Sequence, residues 1–365
     1  MRIGVPREIK DGERRVGLLP DGVRALVDAG HDVLVERSAG LAVGFDDATY
    51  AHGGATLVDD VLDVWRCELI VKVKELQPPE YPLLVRGTTI FGYAQLARDP
   101  HLLDAVLRTG VRIIAYELVR DASGALPLLM PMSRIAGRLA PFAGAQSLYT
   151  DRGGSGVLLT GVDGVAGANV VVVGAGTAGG EAAHIAARLG CRVTVVSRGV
   201  TRLNALDTAL AKVGTPVATS TIEQMGPDGF AEVISAADLV IAAVLDPGKL
   251  SPRLITREHL RSMRPGSAFV DIGIDQGGIA ETSRMTTISH PTYVEERVVH
   301  YAVPNMPSLV ARTATEALTA ATLPYVMRIA GRGIVRALTG DHGLAQSVLV
   351  EDGAIVHSGL AADRR

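Results

Sequence analysis

Cysteine is nearly absent from this 365-residue chain, where Cys67 and Cys191 are the only two. That is too few for a disulfide framework or a thiolate zinc site, and their separation gives no CxxC motif. A reducing, cytoplasmic setting is the expectation. Neither sign of charge dominates: 36 Lys+Arg stand against 39 Asp+Glu, a formal net charge of −3. No polyanion-binding surface is indicated, and nucleic acid is not an expected partner. The N-terminal MRIGVPREIKDGERR is too densely charged for a secretory apolar region. A membrane-spanning stretch is missing as well, since the longest uncharged run, 164–180, holds six glycines and an asparagine. Metal-ligand spacings such as HExxH do not occur, so no bound metal is expected, and the histidines form no Ser/His/Asp constellation.

What is present is an ordinary globular composition, 47% hydrophobic and 21% charged, with 41 glycines. The length exceeds what one core usually supports, which predicts two domains. Short β-branched runs alternate with helical periods: 2–5, a helix over 21–29, then 32–36, 69–73, 88–91 and 112–116, with a helix over 101–108. Such alternation predicts a parallel sheet. A helix over 133–149, containing Pro141, marks the passage to a second series with strands at 169–173, 192–196, 239–243 and 267–274. A long alanine-rich helix over 308–329 then returns to the first domain. The expected fold is therefore α/β, with two βαβ (Rossmann-like) domains separated by an active-site cleft and joined by long helices. Residues 1–132 plus 305–365 form the substrate domain, and 133–304 the dinucleotide-binding domain.

The strongest motif is the strand 169–173 running into Gly174-Ala-Gly176-Thr177-Ala178-Gly179 and a helix. Gly174 permits the tight turn, Gly176 leaves room for a pyrophosphate, Gly179 lets helix and strand approach, and the helix N-terminus faces the anion. The alternative is a glycine turn serving packing alone. At the end of the next strand, where NAD sites present an acidic residue to the ribose, the chain has Ser197-Arg198, with Arg202 beyond. A hydroxyl and guanidinium suit a 2′-phosphate, so NADP(H) is preferred and NAD(H) remains possible. A solvated loop arginine is the other reading of Arg198.

MRIGVPREIKDGERRVGLLP, VKVKE at 71–75, AYELVRDASGALPLLMPMSRIAGRLA at 115–140, GAGTAG, DIGIDQGG at 271–278 and PNMP at 304–307 together resemble the alanine dehydrogenase and transhydrogenase nucleotide-binding subunit family. The resemblance covers nearly the whole chain and is stronger toward alanine dehydrogenase. It implies that Arg15 and Lys74 hold the substrate carboxylate or carbonyl, a role suited to a bidentate guanidinium and a polarising ammonium. By the same resemblance Tyr93, Tyr116, Asn305 and Met306 line the substrate. Ser133, Val244, Leu245 and Ile274 lie beside the cofactor, and Asp275 acts near the nicotinamide, although an Asp before Gln-Gly-Gly is also a natural turn cap. A homo-oligomer, hexamer or dimer, is implied.

One motif departs from the family pattern. FGYAQLA carries Gln95 where the resembling dehydrogenases have a histidine that serves as acid and base. A carboxamide hydrogen-bonds but does not titrate near neutral pH. Reductive amination of an oxo acid needs several proton transfers, whereas a protonated imine needs chiefly hydride delivery. Gln95 therefore favours an NAD(P)H-dependent imine (ketimino acid) reductase acting on a small amino, imino or oxo acid. The alternatives are a divergent alanine dehydrogenase and a transhydrogenase-like module without turnover of its own.

Overall fold

The computed structural model describes residues 1–213, 217–245 and 250–362. The chain divides into two compact units, Met1–Met132 with Ser308–Arg365, and Ser133–Pro307. Residues 363–365 of the first assignment lie outside the described residues.

In the first unit β1 (Arg2–Val5), β2 (Asp32–Glu36), β3 (Thr56–Val58), β4 (Leu69–Val71), β5 (Thr89–Gly92) and β6 (Arg112–Ala115) pair in parallel. β4 is wholly buried, as a parallel strand covered on both faces must be. Helix Pro20–Asp28 starts with a proline and carries Asp21 in its first turn, both favourable at an N-terminus.

The second unit contains β7 (Asn169–Val173), β8 (Arg192–Ser197), β9 (Val217–Thr221), β10 (Leu239–Ala242), β11 (Ala268–Asp271), β12 (Thr292–Glu295) and β13 (Val298–Tyr301). Their order is β12-β13-β11-β10-β7-β8-β9, parallel except for the β12–β13 hairpin. Alternation along the strands separates two cores. Val170, Val172, Leu239 and Ile241 pack on one face, and Val171, Val173, Val240 and Ala242 on the other.

After helix Ala311–Arg332 the chain adds β14 (Val348–Glu351) and β15 (Ala354–Ile355), giving the first sheet the order β15-β14-β6-β5-β4-β1-β2-β3. In each sheet the strand order reverses beside the first strand, between β1 and β4 and between β7 and β10. Open α/β sheets bind ligands outside the carboxyl ends of strands at such a switch.

Several elements differ from the sequence reading. The strand expected over 267–274 stops at Asp271, and Ile272–Gln276 is a 3₁₀ turn followed by Gly277 and Gly278 at positive φ. Asp275 is thus on a turn, not at a strand end. The helix expected from 308 begins at Ala311, after a 3₁₀ segment Met306–Val310. Asn305 and Met306 belong to the second unit, because Met306 packs into that unit's core and the Asn305 amide donates to Asp275. Helix Met130–Ser147 runs through Pro141. β3, β9, the β12–β13 hairpin and the C-terminal β14–β15 hairpin are additional to the strands expected from sequence.

Candidate functional site

The first unit's switch point carries a dense set of charges on the segments leaving β1 and β4. Beyond β4 come Lys72, Val73, Lys74 and Glu75. Lys72 is completely buried, with its Nζ 2.8 Å from Glu8 Oε2 and 2.9 Å from Glu80 Oε1. Glu8 Oε1 accepts the Val73 amide at 2.6 Å and the Lys74 amide at 3.4 Å. Glu8 therefore fixes the backbone that presents Lys74. Lys74 is itself buried and pairs with Glu75 Oε2 at 3.3 Å, while Lys10 pairs with the other Glu75 oxygen. Burial would raise the Glu75 pKa, but Lys74 and Lys10 overcome it and take it down to about 2.

Burial alone would lower the Lys72 pKa, yet Glu8 and Glu80 hold it up at about 12. Lys72→Met should cost about 3–5 kcal/mol, because it leaves two buried carboxylates uncompensated. The folded value lies above the unfolded 10.5, so this contribution is complete below pH 10.5 and is lost as pH rises through about 12. Urea midpoints of wild type and variant at pH 8 and pH 11.5 read this out; an unchanged midpoint at pH 8 contradicts it.

Arg15 lies on the loop after β1, which runs close against the end of β4: a Cβ on Gly17 would fall 2.4 Å from the Val71 carbonyl oxygen. The Arg15 guanidinium is buried and forked onto Glu13, Nε to Oε1 at 2.7 Å and Nη2 to Oε2 at 2.6 Å, with Nη1 2.9 Å from Met132 Sδ. Glu13 Oε1 also accepts the Arg15 amide at 2.9 Å. The guanidinium plane is thus set before any ligand arrives.

The segments after β5 and β6 contribute Tyr93, Gln95, Tyr116 and Glu117. The Tyr93 hydroxyl donates to the Leu128 carbonyl at 2.7 Å, and the Tyr116 ring meets Phe91 and Tyr93 edge-on at centroid distances of 4.4 and 5.3 Å. Burial raises the pKa of both tyrosines, so both stay protonated. Gln95 is half-buried with φ +47°, an uncommon conformation for a residue with a side chain. Its amide and that of Ala94 both donate to Glu117 Oε1 at 3.1 Å.

In the second unit the glycine-rich turn leaves β7. Gly174 has φ +115°, and a Cβ there would lie 2.5 Å from the Ala243 oxygen; one on Gly179 would lie 1.8 Å from the Gly174 oxygen. Those two glycines are required by packing. Gly176 is not, since nothing lies within 4 Å of its Cβ position. That open space stands at the N-terminus of helix Thr177–Arg188, whose N-cap Gly176 supplies no side-chain hydrogen bond. Uncapped amides beside open space fit a pyrophosphate.

Around this turn, Thr177 is exposed and Ala178 half-buried. Ser197 ends β8 and is half-buried, and Arg198 and Arg202 are exposed and take part in no ion pair among the described residues. Val244 and Leu245 follow β10, Ser133 lies in the first turns of helix Met130–Ser147, and Ile274 is buried. Asp275 Oδ2 accepts the amide of Asn305 at 2.9 Å, and Asn305 has φ +59°. Among the described residues no group of three or more His, Cys, Asp or Glu could hold a metal ion, and no helix is long and apolar enough to cross a membrane.

Glu13, Glu117 and the Lys72–Glu8–Glu80 triad were not found from sequence. The one available signal was VKVKE, whose alternate lysines in an apolar run demand buried partners.

Two doubly wound sheets, the second with a strand–glycine turn–helix at its switch, define a two-domain α/β protein with a Rossmann-type unit. Family models agree with this class: residues 4–136 match "Alanine dehydrogenase/PNT, N-terminal domain" and 140–358 match "Alanine dehydrogenase/PNT, C-terminal domain". The chain is 47% identical to an alanine dehydrogenase of Halomonas elongata, over 99% of this chain and 96% of the relative. It is 44% identical to that of Bacillus subtilis, over 100% and 94%. A solved L-alanine dehydrogenase structure superposes with TM-score 0.92 at 43% identity, covering 100% of this chain and 99% of that one. The chain belongs to the alanine dehydrogenase/PNT family.

Proposed function

We propose that this chain is a nicotinamide-dependent dehydrogenase that oxidises L-alanine to pyruvate and ammonia and catalyses the reverse amination. The observation that carries the reading is the pair of buried cations, Arg15 and Lys74, on the two loops at the first sheet's switch point, in a chain that matches named alanine dehydrogenases end to end. Those relatives support alanine chemistry better than reduction of a preformed imine, a reading that rested on Gln95 alone.

In this proposal Arg15, oriented by Glu13, takes the substrate carboxylate, and Lys74 polarises the carbonyl or imine nitrogen. Tyr93 and Tyr116 wall the substrate, and Gln95 hydrogen-bonds it without exchanging protons. Gly174, Gly176, Thr177, Ala178 and Gly179 would hold the dinucleotide pyrophosphate, with Ser133, Val244, Leu245 and Ile274 lining the rest of the cofactor. Asp275, tied to the Asn305 amide, acts near the nicotinamide, and Met306 is buried in the core of the same unit. When bound, the nicotinamide supplies hydride transfer at the substrate α-carbon.

For cofactor choice we infer a preference for NADP(H), supported by Ser197 at the tip of β8 and by the exposed Arg198 and Arg202 where an acidic residue would repel a 2′-phosphate. A charge-assisted phosphate contact contributes about 1.5–3 kcal/mol, roughly ten- to a hundredfold. Initial rates of L-alanine oxidation with NADP⁺ and NAD⁺ test activity and preference together. Equal kcat/KM for the two, or a preference for NAD⁺, contradicts the cofactor assignment, and Ser197→Asp should shift preference toward NAD⁺. No L-alanine-dependent reduction of either contradicts the function.

A further inference from the structure

The oxidation proposed above releases protons from nitrogen and water, and Gln95 accepts none. The other acidic groups around the first unit's switch point are already committed. Glu8 is paired with Lys72, Glu13 with Arg15, and Glu75 with Lys74 and Lys10. Glu117 differs: among the described residues it makes no ion pair, and its carboxylate is held by the amides of Ala94 and Gln95. It is half-buried. We propose that Glu117, resting on the alanine-oxidation reading, is the proton acceptor for the substrate amine, doing through a carboxylate beside Gln95 what Gln95 cannot do.

In that step an N–H bond of the substrate ammonium breaks and an O–H bond forms on Glu117. The freed nitrogen lone pair closes the C=N bond as the α-carbon, oxidised, loses its hydride to the nicotinamide co-substrate, which is reduced. Glu117 passes that proton to solvent and takes a second from the water that adds to the imine carbon. It returns this proton to the carbinolamine nitrogen, the C–N bond breaks as the hydroxyl oxygen closes the C=O bond, ammonia leaves, and the hydroxyl proton goes to solvent. In the amination direction the same carboxyl donates.

The charged and titratable groups acting on Glu117 from the packed segments are Lys74 after β4 and Tyr93 after β5. Burial pushes the carboxyl up, opposed by the hydrogen bonds from Gln95 and Ala94 and by the Lys74 charge. The net rise brings it nearer to working pH, which favours a general base.

Glu117→Gln keeps an oxygen for both amides but cannot take a proton. We expect kcat for L-alanine oxidation to fall about a hundredfold or more, the acid limb of the pH profile to vanish, and KM for L-alanine to change by less than about threefold. Gln95→His, added to Glu117→Gln, should restore at least about tenfold by supplying a titrating ring. In the nucleotide-free wild type, the amide resonances of Ala94 and Gln95 should titrate with a midpoint above the ordinary glutamate value of 4.5, and should lose that titration in Glu117→Gln. This holds as a test on wild type even if the variant does not fold. The proposal is overturned by an unchanged rate and limb, by a limb that survives in Glu117→Gln and disappears in Asp275→Asn, or by amides titrating at or below 4.5. A wild type inactive with L-alanine contradicts the dehydrogenase reading and this proposal with it, whereas an active wild type with an unaffected Glu117→Gln contradicts only the proposal.

Discussion

Gly179→Val and Gly176→Val, three residues apart in one turn, are expected to fail in opposite ways. A side chain at 179 would meet the Gly174 carbonyl oxygen at 1.8 Å, a backbone atom that cannot swing aside. Relieving it means pulling helix Thr177–Arg188 off β7, whose contact surface includes Ala182, Ala183 and Ala186, all fully buried. The cost is comparable with a domain's whole stability, about 5–15 kcal/mol, so Gly179→Val should yield little folded protein. At 176 the space is open. Gly176→Val should fold, with a melting temperature within a few degrees of wild type, about 1 kcal/mol or less, yet lose at least about tenfold in nucleotide affinity by filling the room assigned to pyrophosphate. Thermal melts and nucleotide titration by fluorescence separate the two. A Gly176→Val protein that binds nucleotide like wild type removes the phosphate from that turn.

Arg15→Ala should damage both stability and turnover. It leaves Glu13 buried without its cation, which costs about 3–5 kcal/mol, and it removes the group proposed to hold the substrate carboxylate, worth about 2 kcal/mol or more, roughly thirtyfold in kcat/KM. The double variant Glu13→Gln/Arg15→Met separates the effects. With no lone buried charge it should regain most of the stability while staying at least about thirtyfold slow. Recovery of turnover in the double variant would return Arg15 to a purely structural role. Arg15→Lys should also be impaired, since an ammonium cannot fork onto Glu13 and hold its plane at the same time.

The parts read correctly from sequence are those whose signal is local. The valine run 169–173 entering the glycine turn needs no distant partner to be recognised, and its strand, turn and helix fall where they were expected. Arg15 and Lys74 were singled out by the resemblance of their motifs, not by burial, because on residue type alone both read as surface charges. VKVKE illustrates the limit. Alternation would normally turn its lysines to solvent, but parallel sheets are covered on both faces, and Lys72 survives inside because Glu8 and Glu80 reach it from elsewhere in the chain. Glu13 is near Arg15 in sequence yet reads as one charge among many until the loop folds. Glu117 meets the Gln95 amide across 22 residues, a contact made by the β5–β6 pairing. The early end of β11 at Asp271 has a visible reason, the glycines at 273, 277 and 278, which were outweighed by the apolar run before them. The β14–β15 hairpin is not legible in the sequence because its strands are short and β14 pairs with β6, more than two hundred residues earlier, while β15 pairs with β14 alone.

As proposed, this chain handles an oxo acid and ammonia, not merely a ready-made imine. Consumption of NADPH and NADH should be followed with pyruvate alone, pyruvate plus ammonium, and a cyclic imino acid without ammonium. Pyruvate reduction is expected to depend on ammonium and to saturate in it, at rates of the order usual for enzymes, about ten per second. Reduction of the cyclic imine with no ammonium-dependent consumption in the presence of pyruvate would contradict it.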